Sequence, residues 1–203
     1  HIPDLDPVGS RTQQFAASPA MTPAAGKAPV RRVILLAGCA QRALDPDINA
    51  STIRVLNRLG VEVIVRKEAH CCGALAHHVG ATKMADTTIR AAIQAWHEEI
   101  ATGQIDAIIA NASGCGTMVK DYGHVMRHDP EMAPLAAAIS AKTKDICEIL
   151  AELDLSSILH PQAVSGYGTL AYHSACSLQH GQKIHDCLLY TSGRCRRNLP
   201  CRS

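Results

Sequence analysis

The chain has 203 residues, 47% of them hydrophobic and 19% charged, which is ordinary globular composition and enough to bury a core. Six aromatics (Phe15, Trp96, Tyr122, Tyr167, Tyr172 and Tyr190) leave that core to aliphatic side chains and argue against stacking platforms for bases or sugars. The formal net charge of +2 arises in the Arg-rich stretch after residue 184; ahead of it acids and bases nearly balance, so no basic stripe offers itself to nucleic acid.

Residues 1–29 hold Pro3, Pro7, Pro19, Pro23 and Pro29 among Ala, Ser and Gly, without a sustained apolar period. They read as a linker from a segment expected to precede His1. Val33-Ile34-Leu35-Leu36-Ala37 is then a continuous apolar run ended by Gly38-Cys39, as in a strand buried on both faces. Asp45-Pro46 predicts a helix start, with Ile48, Val55, Leu56 and Leu59 as the buried stripe and Gly60 as the C-terminal cap.

The unit recurs. Val61 to Val65 is a strand, Cys71-Cys72-Gly73 follows it, and a helix carries Ile89, Ile93, Trp96 and Ile100 on one face until Gly103. Ile105 to Ala110 is the third strand, Gly114-Cys115-Gly116 the third turn, and Met118, Tyr122 and Val125 open another helical stretch. Residues 131–153 are expected to form the longest helix, with Leu135, Ile139, Ile146, Leu150 and Leu153 on its apolar face. This alternation predicts an α/β fold, a parallel sheet with flanking helices. Thr169 to Cys176 repeats the layout of the first unit, so two similar halves are expected, residues 30–168 and a truncated second copy over 169–184. The Arg- and Cys-rich residues 185–203 have no apolar period and read as a non-native tail.

A parallel sheet puts every post-strand turn at one edge, where ligands of open α/β folds bind. Four of the nine cysteines, Cys39, Cys71, Cys72 and Cys115, are therefore expected to converge there. Helix N-termini and the flanking Gly38, Gly73, Gly114 and Gly116 would bring backbone N–H groups to the sulfurs and stabilise thiolates. Neighbouring Cα atoms stand about 3.8 Å apart, below the usual disulfide range of about 4.4 to 6.8 Å, so a Cys71–Cys72 disulfide would be strained. Adjacent thiols diverging from one turn suit a polynuclear iron-sulfur centre. A four-sulfur zinc site is the alternative metal reading, although Met118 stands where a Cys115-x-x-Cys knuckle needs its second thiol. A third reading makes the cysteines buried small hydrophobes.

The motifs Leu36-Ala37-Gly38-Cys39, His70-Cys71-Cys72-Gly73-Ala74-Leu75, Asn111 through Gly123 and Tyr172-His173-Ser174-Ala175-Cys176 resemble the cysteine-rich CCG domain shared by heterodisulfide reductases and the iron-sulfur subunits of bacterial glycolate oxidase. The resemblance covers about residues 30–184. It implies metal ligation by Cys39, Cys71, Cys72, Cys115 and Cys176, with the four glycines lining an iron-sulfur cluster of 4Fe-4S type. The implied role is an electron-transfer subunit that passes electrons from flavin-containing glycolate oxidase subunits toward quinone or another acceptor, with no substrate catalysis by this chain alone. The implied location is the cytoplasm, including the inner face of the plasma membrane. A heterodisulfide-reductase-like thiol redox subunit and a zinc-stabilised interaction module are the alternatives. Thr117 and Met118 depart from the family's C-x-x-C ending, and the ferredoxin-like C-x2-C-x2-C-x3-C-P runs do not occur in the chain.

Elsewhere, His70 and His173 read as hydrogen-bond partners beside the thiols, His77-His78 as a solvated or capping pair, and Cys147 as packing on an apolar helix face. Lys120 and Asp121 suit a partner-facing or a simply exposed helix surface. No phosphate-cradling glycine pattern occurs, no run of about 18 apolar residues suggests a membrane span, and no signal-peptide pattern opens the sequence.

Overall fold

The computed structural model describes residues 12–15, 31–155, 158, 173 and 175–185. The first unit is β2 (Arg32–Leu35), with β1 (Thr12–Phe15) ahead of it, then α1 (Cys39–Leu44) and α2 (Asp47–Arg58). β3 (Glu62–Arg66) leads to α3 (Ala74–His78) and the long α4 (Thr82–Ala101); β4 (Ala107–Ala110) leads to α5 (Ser113–Lys120), α6 (Tyr122–Val125) and α7 (Met132–Lys142). β5 (Thr143–Asp145), α8 (Ile146–Glu152) and a π-helical turn, Ser177–Gly181, follow.

The sheet order is β1-β3-β2-β4-β5. β3, β2, β4 and β5 run parallel, in the register Ile34↔Ile64, Ile34↔Ile108 and Ile109↔Lys144. β1, inside the stretch expected to be linker, pairs antiparallel on the outer edge of β3, Thr12 opposite Arg66. The apolar runs alternate between two cores, as the period of two requires. Ile34, Leu36, Ile64 and Ile108 face Ile89, Ile93 and Trp96 of α4, Tyr122 of α6 and Ile139 of α7. Val33, Leu35, Val63 and Ile109 face Leu56 of α2 and Ile149 of α8. Three layers result, with Val33–Leu35 of β2 and all of β4 dry on both faces.

The two glycine stops act as expected. After α2, Gly60 at φ +77° sends its N–H to Asn57 O while Val61 N–H returns to Leu56 O, a Schellman closure. Gly103 at φ +68° bonds to Ile100 O after α4. Two expectations are corrected. Ile48, assigned to the buried stripe of α2, is 41% exposed, and Thr52 is buried instead, its hydroxyl bonded to Ile48 O. Residues 131–153 are not one helix: α7 ends at Lys142, and Thr143–Asp145 adds a strand against Ile108–Ala110. Asp145 then caps α8, accepting from Cys147 N at 3.0 Å while Glu148 accepts from Asp145 N at 2.7 Å. The longest helix is α4, with 20 residues.

Candidate redox centre

The strand order reverses direction between β2 and β4. From β2 the chain passes to α2 on one face of the sheet, and from β4 to α5 on the other, so their carboxyl ends mark the topological switch point, the usual ligand position in this architecture. Cys39 is the first residue of α1 after β2, Cys115 lies in the first turn of α5 after β4, and Cys71-Cys72 fill the turn between β3 and α3. Three post-strand turns thus deliver four thiols to one edge.

The four thiols lie within interaction range of one another, Cys39 beside Cys71, Cys71 beside Cys72 and Cys72 beside Cys115. Burial, then the neighbouring Cys71, pushes the Cys39 thiol up. The hydrogen bond with Cys72, reinforced by burial, raises Cys71 far above the ordinary value of 9.0. Cys72 is pushed up to about 12, first by its hydrogen bond with Cys115 and opposed by the one with Cys71. Cys115 is lowered by its hydrogen bond with Cys72 against the opposing effect of burial. Backbone N–H groups also reach the sulfurs: Gly73 N to Cys71 Sγ at 3.4 Å and Ala74 N to Cys72 Sγ at 3.5 Å. Cys72 is buried, while Cys39, Cys71 and Cys115 keep partial access to solvent.

Among the described residues, no three His, Cys, Asp or Glu side chains are arranged to hold a single metal ion. The donor set is all sulfur, which suits an iron-sulfur group, with a four-sulfur zinc site as the alternative.

The glycines divide into different roles. Gly38, at φ +67°, leaves room for Gln41: a Cβ there would stand 2.1 Å from Gln41 Oε1. Gly73, at φ +80°, turns the chain after Cys72, and a Cβ would press on Ile89 Cγ1 at 3.0 Å. Gly114 borders open space, whereas Gly116 admits the buried Gln182, whose Nε2 would lie 2.7 Å from an added Cβ.

Sequence patterns gave no sign of two supports. One is an amide cluster across the switch point, in which Gln41 donates to Asn111 at 2.9 Å, Asn111 donates to Asn49 and Thr52, and Asn49 donates to Ala37 O at 2.6 Å. It ties the turn before Cys39 to the end of β4. The other is Tyr122, fully buried, whose hydroxyl donates to Cys72 O at 2.9 Å. Their only sequence signal is polar residues at strand ends and a tyrosine on an apolar helix stripe.

Other candidates lie apart. Cys176 is exposed just ahead of the turn Ser177–Gly181 and enters none of the thiol contacts above. That turn packs on α5 through Ser177 Oγ to Ser113 Oγ at 2.7 Å and Thr117 Oγ1 to Ser177 O at 3.1 Å. His70 and His173 are exposed. The exposed His77 and His78 rings meet edge to face, 5.8 Å between centroids. Cys147 is buried against Leu178 and Ile184, its thiol on Asp145 Oδ1 at 2.8 Å. Lys120 is paired with Glu148 at 2.6 Å. Cys187, Cys195 and Cys201, residues 169–172 and the tail 186–203 lie outside the described residues. Among the described residues, no helix is long and apolar enough to cross a membrane.

Comparison with known proteins bears on the same stretch. Residues 33–120 match the family model described as CCG, cysteine-rich domain. The chain is 42% identical over 155 residues to the glycolate oxidase iron-sulfur subunit of Escherichia coli (strain K12), covering 76% of this chain and 37% of that protein. It is 30% identical over 149 residues to the probable glycolate oxidase iron-sulfur subunit of Bacillus subtilis (strain 168), covering 73% and 32%. Lactate utilization protein A of Geobacillus kaustophilus (strain HTA426) is 25% identical over 151 residues, covering 72% and 58%. The chain therefore spans about a third of the length of the first two relatives. No solved structure matches it.

Proposed function

We propose that the chain, whose residues 33–120 match the CCG cysteine-rich domain family, serves as the iron-sulfur part of a flavin-dependent 2-hydroxy-acid dehydrogenase complex, with glycolate as the substrate. Electrons would pass from the flavin subunit toward quinone. The observation that carries this reading is the meeting of four thiols from three separate turns at the switch point of the sheet. The names of the relatives supply glycolate; the flavin partner and the quinone come from the family resemblance.

Cys39, Cys71, Cys72 and Cys115 would hold the cluster, of 4Fe-4S type. A bound cluster supplies one-electron acceptance and release. The chain's own residues do the rest. Gly73 N and Ala74 N point at sulfurs and stabilise their negative charge. Leu36, Ile64, Ala69 and Met118 close the apolar side and keep water from the buried Cys72. Cys176 would belong to a second thiol set, in the second copy of the layout that begins at Thr169.

The test is iron, sulfide and zinc content with visible and EPR spectra on protein purified without oxygen. About four iron and four sulfide per chain with a redox-active signal is the expected result. Changing Cys71 or Cys72 to Ser should abolish the absorbance; iron unchanged in both variants would overturn the ligand assignment. Stoichiometric zinc without colour would favour an interaction module. The thiol–thiol contacts also favour a second reading, a dithiol redox subunit. Disulfide reduction by the assembled complex would select it, whereas a pure electron carrier shows no such turnover.

A further inference from the structure

We propose that Tyr122 is a positioning residue of the thiol centre, clamping the Cys72 carbonyl so that Cys71 and Cys72 present their sulfurs from one fixed turn. The purpose of the clamp rests on the iron-sulfur reading, while its geometry stands without metal. Tyr122 is fully buried at the start of α6, and its hydroxyl crosses a sequence separation of 50 residues to donate to Cys72 O at 2.9 Å. A buried phenol needs an acceptor, and this one spends its bond on the backbone carbonyl of the second of the two adjacent cysteines.

The turn is held at Gly73 as well. Gly73 takes φ +80°, and its Cα packs so closely on Ile89 that a Cβ would meet Ile89 Cγ1 at 3.0 Å. With Ile89 packed against Gly73 and the phenol bonded to the Cys72 carbonyl, the peptide after Cys72 has little freedom to rotate. The clamp is itself anchored. Gly123 N donates to Ser140 Oγ at 3.0 Å, Ser140 Oγ donates to Val119 O at 3.0 Å, and Gly123 lies against Ala137, whose Cα an added Cβ would meet at 3.2 Å. α7 thus fixes the backbone of α6, and α6 fixes the turn.

Groups that orient metal ligands without touching the metal commonly govern how firmly it is retained. Tyr122 fits that role for the Cys71-Cys72 pair.

The test is Tyr122→Phe in the full chain, which keeps the ring volume and removes the donor. In metal-free protein, alkylation by iodoacetamide is followed at each cysteine by mass spectrometry. Cys72 should react about fivefold faster in the variant while buried Cys147 keeps its native rate, the size expected for loss of one buried hydrogen bond. Equal Cys72 rates overturn the proposal, and so does a parallel rise at Cys147, which marks general loosening. In protein loaded with iron and sulfide, loss of absorbance to a chelator should also be about fivefold faster, at unchanged initial iron content. Native protein that takes up no iron, with Cys72 alkylation still accelerated in the variant, would count against the iron-sulfur reading and leave the clamp standing. Iron uptake with both rates unchanged would defeat the clamp alone.

Discussion

Of the four neighbouring thiols, Cys39, Cys71 and Cys72 are pushed up and Cys115 alone is lowered, by its hydrogen bond with Cys72, so in metal-free protein Cys115 is the one of the four expected to ionise first. Alkylation carried out below pH 9 should therefore modify Cys115 well before Cys72, since the thiolate is the reactive form. Residue-resolved mass spectrometry checks the order, and Cys72 reacting first would overturn it. Stability has a matching pH dependence. The folded-state value of Cys72, about 12, lies above its unfolded value near 9.0, so its contribution is complete below pH 9 and is lost as pH rises from there toward 12. Urea midpoints of the metal-free chain should fall across that window. A second residue-level consequence concerns Gly38, where a positive φ and the Gln41 amide both forbid a side chain. Gly38→Ala should cost about 1–3 kcal/mol, read from urea unfolding, because it strains the turn before Cys39 and displaces the amide that bonds Asn111.

At the scale of elements, patterns with a steric cause were the legible ones. Val33 to Leu36 and Ala107 to Ala110 are dry on both faces and read as continuous apolar runs, and Gly60 and Gly103 mark helix ends because only glycine takes the left-handed turn at low cost. The stretch 131–153 was misleading because its apolar residues keep a helical period through Thr143–Asp145, while tertiary pairing with β4 decides the conformation of those three residues. The local clue was Asp145-x-x-Glu148, a capping box with Asp in the leading place. Asp145→Ala should cost about 1–2 kcal/mol, since it removes both the cap of α8 and the acceptor of the Cys147 thiol. Chemical denaturation measures the loss. The iron content of loaded protein should not change, because Asp145 serves β5 and α8 and makes no contact with the thiol series.

For the molecule as a whole, the convergence of Cys39, Cys71, Cys72 and Cys115 followed from parallel topology, which places every post-strand turn at one edge. The supports from Tyr122, Gln41 and Asn111 did not, because each joins residues far apart in sequence that no local period links. The same holds for residues 175–185. Their docking on α5 depends on Gly116, where the absent side chain makes room for Gln182, and on Gly181, whose added Cβ would stand 2.8 Å from Thr117. Gln182 Nε2 donates to Ser113 O at 2.9 Å, next to the turn that carries Cys115. Gly116→Ala should therefore expel Gln182 and loosen residues 175–185 from α5. The helix itself should survive, since alanine favours helix more than glycine does. Amide hydrogen exchange should rise at Leu178, Gln179, Gln182 and Ile184, whose N–H groups bond within this segment, and stay native in β2, β3 and β4. Unchanged exchange at those four amides would mean that the segment is held independently of Gly116. Exchange rising in β4 as well would mean that the docking supports the sheet and not only the thiol-bearing edge.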